Sequence, residues 1–378
     1  MFKLTKILCL ILLLILFSCS EYKIAKINPK KYNPQDTAIV NINNPAEVYN
    51  YNWGDSTLVN IESNNGKWVG LIQWKNVGVC SRNSILQPIE FTLDKKVNTI
   101  IKSNNYDTLT VDSNLPQIKL HKNYLYIWYM NNRERILRKI PANGEKVENF
   151  KFQPSSNDIF AIDKKGNFYF TDFNGVTFTL FDWIKNIFSD NINYSPKNPP
   201  IGKFNGELKK IDSFGRWNCF DIKEKKKMYK NIFLNYRHIL YNKNNLLTVP
   251  FNYGFIEKYS LDGKFISSLN LHTISPLFKN IDENKQVQFL DMDIVEDKLF
   301  LLFVTNANVL SGITSYPRDK RILIGVAKID VLEDKMKLDA IYYLLPDDRT
   351  TYQPSFEIID AHTVAMPKEK CIELYKLP

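Results

Sequence analysis

Asp291 and Asp293 stand two residues apart in the run Phe289-Leu-Asp-Met-Asp-Ile-Val295, so a strand would turn both carboxylates to one face. Such a pair is able to ligate calcium or to share a proton; a solvated strand edge is the plainer reading. The four histidines, at 121, 238, 272 and 362, have no metal-ligand spacing and no nucleophile motif beside them. Arg237 and His238 open a short apolar run and are candidate binding residues if that run lines a channel, with a turn-adjacent surface histidine as the alternative. Tyr124, Tyr126, Trp128 and Tyr129 gather aromatics, as do Trp68 and Trp74. Tyr126 and Trp128 are the candidates for a sugar- or peptide-stacking platform, against the commoner use of such side chains in core packing. Lys223 to Lys230 reads as an exposed basic loop able to meet acidic glycan or lipid. Asp163, Asp262 and Asp297 fall in turns, where Asx-type hydrogen bonds account for them. No catalytic constellation, cofactor motif or metal-ligand set stands out, so binding is expected ahead of turnover.

The amino terminus carries a different chemistry. Lys3 and Lys6 precede Ile7 to Phe17, a run without a charged side chain, which has the form of an export signal. The run is shorter than the roughly 20 residues a membrane-crossing helix needs. Leu16-Phe17-Ser18-Cys19 resembles the bacterial lipobox, with Phe17 bulkier than the usual occupant of its position. The resemblance implies cleavage after Ser18 and lipidation of Cys19, and two or more acyl chains hold a protein stably. An ordinary signal peptide with an incidental Cys19 is the alternative. Ser20 is not the Asp that retains inner-membrane lipoproteins, so the resemblance favours the outer membrane, with the periplasmic and outer faces both open. Glu21 alone resembles the acidic surface-export signal of Bacteroidetes lipoproteins.

The 378 residues, 44% hydrophobic and 13% aromatic, are ample for a large core. Twenty Tyr and twenty-four Phe against fourteen Gly favour sheets. The formal charge of +10 falls to +8 without the two signal lysines. A basic surface would attract phosphate-bearing envelope partners, although heavy Lys, Asn and Ile usage together also fits A/T-rich codon drift. Nucleic acid is not an expected partner of an exported chain. After Cys19, the cysteines Cys80, Cys219 and Cys371 are odd in number and form no CxxC; buried thiols and one disulfide pair are both open readings.

Residues 1–18 are thus expected to be the signal, 19–36 a lipidated polar tether, and 37–378 one domain. Within that domain short apolar runs alternate with turn clusters, and Thr179 to Phe188 is the best helical stretch, read as an insertion. A grammar of strand, Asp/Asn-Gly turn and strand recurs, as at Asn143-Gly144 and Asp262-Gly263. Looser versions span Ile294 to Leu302 and Ile329 to Met336, and units begin near Ser56, Leu115, Asp158, Arg237, Leu290 and Ser355.

Ala161-Ile-Asp-Lys-Lys-Gly-Asn-Phe-Tyr-Phe-Thr-Asp172 and Tyr259-Ser-Leu-Asp-Gly-Lys-Phe265 resemble the strand-turn-strand phrases of six-bladed β-propellers of the NHL and TolB-like kind, found in many Bacteroidetes lipoproteins. The resemblance implies an all-β ring of six blades, each a four-stranded antiparallel sheet, over most of the mature chain. In such a ring the amino-terminal strand, placed at Ala38 to Ile42, would complete the last blade beside Cys371 to Lys376. Three functions fit: a lipid-anchored binding or scaffold protein that uses a propeller face to grip an envelope protein or glycan, a glycan lyase or hydrolase with dispersed residues converging in the axial channel, and a purely structural envelope lipoprotein.

Overall fold

Runs rich in Ile, Leu, Val and aromatics, cut every few residues by Asn, Asp and Lys, favour short strands, and the described residues are almost wholly strands and their turns. The computed structural model describes residues 25–27, 38–51 apart from 43, 56–74 apart from 65–66, 84–93 apart from 92, 109–111, 116–131, 134–141, 146–152, 160–172, 199–220, 235–275 apart from 252, 278, 286–307, 324–344, and 355–378 apart from 369–370. The signal, Cys19, the stretch 179–188, the lysine cluster 223–230, the Asn143-Gly144 turn and Cys80 lie outside the described residues. A short helix, α1, spans Leu271–Ile274, Phe278 is helical as well, and Cys371 carries a free thiol.

Three strands precede the first repeated unit: β1 (Ala25–Ile27), β2 (Ala38–Ile42) and β3 (Glu47–Asn50). Blade 1 is β4 (Ser56–Asn64), β5 (Lys67–Trp74), β6 (Ser84–Phe91) and β7 (Leu109–Val111). Blade 2 is β8 (Gln117–His121), β9 (Tyr124–Asn131), β10 (Glu134–Pro141) and β11 (Glu148–Phe152). Blade 3 is β12 (Ala161–Ile162), β13 (Phe168–Thr171), β14 (Ile201–Phe204) and β15 (Lys210–Phe214). After β16 (Asn218–Phe220), blade 4 is β17 (Arg237–Asn242), β18 (Asn245–Pro250), β19 (Phe255–Ser260) and β20 (Phe265–Asn270). Blade 5 is β21 (Gln286–Val295), β22 (Lys298–Ala307), β23 (Ile324–Val331) and β24 (Met336–Leu344). Blade 6 is β25 (Glu357–Asp360), β26 (Thr363–Pro367), β27 (Cys371–Lys376) and, from the other end of the chain, β3.

These six antiparallel meanders form a six-bladed β-propeller, as the repeated units led one to expect. One sheet cannot bury both of its faces alone; in a ring each face is covered by the next blade. The core is accordingly divided into six apolar clusters, one at each junction between neighbouring blades. Middle strands are covered on both sides and need no polar face: Leu299 to Phe303 of β22 are all fully buried. Outer strands alternate, as in β24, where Met336 and Leu338 are buried while Lys337 and Asp339 are exposed. Each fully buried Leu or Phe contributes about 1.5–3 kcal/mol to holding two blades together.

Ring closure differs from the expectation. Ala38–Ile42 does not complete blade 6; it runs parallel to β24 as a fifth, outermost strand of blade 5. The closing strand is β3, antiparallel to β27 with Cys371 opposite Asn50 and Leu374 opposite Glu47. The reason is chain connectivity. In a propeller the outer strand of one blade leads by a short link to the inner strand of the next, and the segment immediately before β4 is β3. β1, inside the stretch read as a polar tether, pairs in parallel with β16, Ala25 opposite Asn218 and Ile27 opposite Phe220.

Tight hairpins need backbone that L-residues adopt reluctantly. Glu296 and Asp297, with φ of 49° and 60°, make the β21–β22 turn without glycine. The Asp262-Gly263 turn instead places Gly263 at φ 84°, where an added Cβ would also press on the Phe214 ring.

Candidate functional site

The first strand of each blade lines the axis, and its free edge leaves backbone groups without a ladder partner. Side chains of neighbouring blades supply the missing partners. Asp291 Oδ2 accepts from Phe356 N at 3.0 Å, and Asp293 Oδ2 accepts from Ile358 N at 3.1 Å, joining blade 5 to blade 6. Their other oxygens accept from Met292 N and Ile294 N at 2.8 and 2.7 Å. Ser355 Oγ accepts from Ile61 N at 3.4 Å, and Asn60 Nδ2 donates to Pro116 O at 3.2 Å, continuing the pattern through blades 6, 1 and 2.

Asp291 and Asp293 therefore do share a face, and the solvated strand edge read from sequence is corrected: the pair lines a narrow polar cavity on the axis. Glu62 from β4, Lys119 from β8 and Glu357 from β25 line it with them. Lys119 Nζ donates to both Glu62 oxygens at 3.2 and 3.1 Å. Ser63 Oγ donates to Glu357 Oε1 at 2.6 Å. The free space is that of about one water or ion, too small for a sugar ring, so anything larger meets these groups from the cavity mouth. The cavity is not sealed, since the Lys119 and Glu62 side chains keep 19% and 13% of their surface exposed.

Four carboxyls around one ammonium cannot all ionise cheaply. Burial pushes Glu62 up to about 7 against the pull of Lys119, and burial likewise pushes Asp291 up to about 7. Asp293 is raised by burial, and Glu357 is raised well above the ordinary range by burial and then by the Asp293 and Glu62 charges. Burial alone would lower Lys119, but Glu62, Asp293, Asp291 and Glu357 outweigh it and raise it. Burial thus disfavours full ionisation of the cluster. All four Asp291 and Asp293 oxygens are engaged by backbone N–H groups, which weighs against their use as calcium ligands. Among the described residues no group of three or more His, Cys, Asp or Glu is arranged to hold a metal.

The other candidates lie elsewhere. Arg237 does open an inner strand, yet its side chain is fully buried and ion-paired with the equally buried Glu257. It also donates to Arg216 O at 2.5 Å and to Asn235 Oδ1 at 3.0 Å. His238 is not on the surface: it is buried with Nε2 2.9 Å from Phe289 O on the first strand of blade 5, and burial pushes it down to about 4. Tyr126 and Trp128 form no exposed platform. They pack between blades 2 and 3 against Phe168 and Phe170, at ring-centroid distances of 5.3 Å in both pairs. Asp163 has the turn role read for it, accepting from Lys165 N, Asn167 N and Asn167 Nδ2 at 2.8–2.9 Å, and from the Tyr169 hydroxyl at 2.9 Å.

Glu62, Lys119 and Glu357 were not singled out from sequence. A signal was available: Asn60/Glu62, Gln117/Lys119, Asp291/Asp293 and Ser355/Glu357 are all polar pairs spaced by two at the first strand of a unit, and all but Ser355 line the cavity.

No family model matches the sequence, and no curated protein matches it. Solved structures with a similar chain path include the GH43_1 enzyme from Xanthomonas citri, at 9% identity over 80% of this chain and 94% of that one, with a TM-score of 0.34. A Bacteroides fragilis protein provisionally described as exported is 9% identical over 90% of this chain and 100% of its own, with a TM-score of 0.40. A mutant Trypanosoma rangeli sialidase displaying trans-sialidase activity is 13% identical, with a TM-score of 0.39; the match covers 91% of this chain and 57% of that one.

Proposed function

We propose that the chain is a lipid-anchored envelope protein, held in the outer membrane through Cys19, whose propeller binds an envelope protein or glycan at the axial mouth. The observation that carries this reading is the convergence of Glu62, Lys119, Asp291, Asp293 and Glu357, from four blades, on one axial cavity. Five ionisable groups face one another there, and protonated carboxyls both donate and accept hydrogen bonds, as sugar hydroxyls require. Among the described residues, the exposed large apolar side chains, Ile39, Val48, Ile85, Ile211, Leu332 and Ile359, include no aromatic. A glycan or peptide array probed with the full mature protein tests the reading. Binding that is lost in Asp291→Asn and Glu62→Gln but kept in Tyr124→Ala supports the axial mouth; equal binding by all variants moves recognition elsewhere. Mass spectrometry of the membrane-extracted protein tests the anchor, and an unmodified Cys19 removes it.

A second reading is favoured by one observation. Glu62 and Asp291, pushed up to about 7, lie where a carboxyl serves as general acid or base at neutral pH, as a glycan hydrolase or lyase would use it. Release of reducing ends from envelope glycans, abolished by Glu62→Gln, would establish this activity in place of simple binding.

A further inference from the structure

Ring closure is the one place where a blade is assembled from both ends of the chain. Blade 6 is held to its neighbours by the β3–β27 ladder, by the Asp291 and Asp293 bonds to Phe356 and Ile358, and by the contacts of Ser355 and Glu357 with blade 1. The axial carboxyls lie across these same junctions. We propose that this cluster is a proton-operated latch on blade 6: with its protons it holds the ring closed, and on losing them it drives blade 6 away from blades 5 and 1.

The charge balance supplies the force. The ionisable groups facing one another are Glu62 on β4, Lys119 on β8, Asp291 and Asp293 on β21, and Glu357 on β25; Asn60, Ser63, Gln117 and Ser355 are neutral. With every carboxyl protonated the cluster bears the single positive charge of Lys119. With every carboxyl ionised three negative charges are left over in a space of about one water molecule. Among the described residues, Glu62 is the one carboxyl of the cluster with a direct ion pair, to Lys119. Glu357 sits on blade 6 itself, so repulsion from Asp293 and Glu62 acts directly on the blade closed by β3.

The sign follows from linkage. Each of these carboxyls binds its proton more tightly in the closed ring than in the open one. Closure is therefore complete below the ordinary carboxylate range and weakens as pH rises through the raised values, about 7 for Glu62 and Asp291. Within that window each carboxyl favours opening by about tenfold per pH unit. This inference does not depend on what the mouth binds.

Hydrogen exchange of the full mature protein, expressed as protection factors between pH 5 and 8, tests it. Protection of Glu357 to Lys376 is expected to fall at least ~100-fold relative to Arg237 to Asn270 in blade 4, and Glu357→Gln is expected to make the fall shallower by about tenfold per unit. A uniform loss across blades, or an unchanged slope in the variant, overturns the proposal. Should the variant not fold, the wild type decides alone. The infrared band of buried protonated carboxyls must fade over the same interval in which blade 6 loses protection, and a band already gone at pH 5 overturns the latch.

Discussion

Replacing Arg237 with Met separates a structural from a ligand-binding role for a fully buried cation of the ring. Its guanidinium is ion-paired to Glu257, and both side chains are fully buried. Arg216, one third exposed, reaches the other side of Glu257 at 3.0 Å and lies 3.6 Å over the Phe265 ring. Arg237→Met leaves the Glu257 carboxylate with Arg216 as its remaining guanidinium partner, and leaves Arg216 O and Asn235 Oδ1 without these donors. Breaking a buried pair from one side costs about 3–5 kcal/mol. For a domain of this size that is a fall in melting temperature on the order of 10 °C. Removing the charge at both ends, in Arg237→Met/Glu257→Leu, should recover at least ~1 kcal/mol of the loss, the remainder being the hydrogen bonds that Arg237 gave to Arg216 O and Asn235 Oδ1. Urea unfolding of the four proteins of this cycle, at constant pH and salt, measures it. The reasoning fails if Arg237→Met unfolds within ~1 kcal/mol of wild type, or if the double variant is less stable than the single one by the full cost of Glu257→Leu.

Three further outcomes follow from the geometry. His272 accepts from Gly254 N at 3.0 Å and donates to Phe278 O, and burial pushes it down to about 4; its contribution is complete above about 6.5 and is lost as pH falls toward 4. His272→Gln, which retains an acceptor but takes no proton, should therefore show a smaller drop in urea midpoint than wild type between pH 7 and 4.5. Gly325→Ala would drive a methyl into the Phe303 ring inside blade 5 and should cost about 1–3 kcal/mol, with relief when Phe303→Leu is added, read by thermal melting. Asp163→Ala strips the Tyr169 hydroxyl, in a fully buried side chain, of its acceptor and opens the Asx turn, for a loss of about 1–3 kcal/mol in the same assay.

Blade starts were legible because each opens with a short apolar run after a polar connection, and the runs at Arg237, Leu290 and Ser355 fall at or within a few residues of β17, β21 and β25. Closure was misplaced by one strand, because Ala38–Ile42 and Glu47–Asn50 both alternate and sequence gives no reason to count back from β4. The Asp291/Asp293 pair was visible because its two members are neighbours. Its partners were not: Glu62 and Glu357 lie nearly the whole chain apart and meet only because the ring closes. Tyr126 and Trp128 alternate with Leu125 and Ile127, a pattern shared by a half-exposed strand and by one covered on both faces. Only the neighbouring blade decides between them.

The amino-terminal strands carry a mechanical consequence. If the proposed lipid holds Cys19, tension entering there travels along the chain and meets, among the described residues, three attachments in turn. β1 is held to β16 by three residue pairs, β2 to the rim of blade 5 by five, and β3 comes last. The first two would act as fuses in series, so a pull on the amino terminus would strip both before it reached the strand whose loss would uncoil the ring.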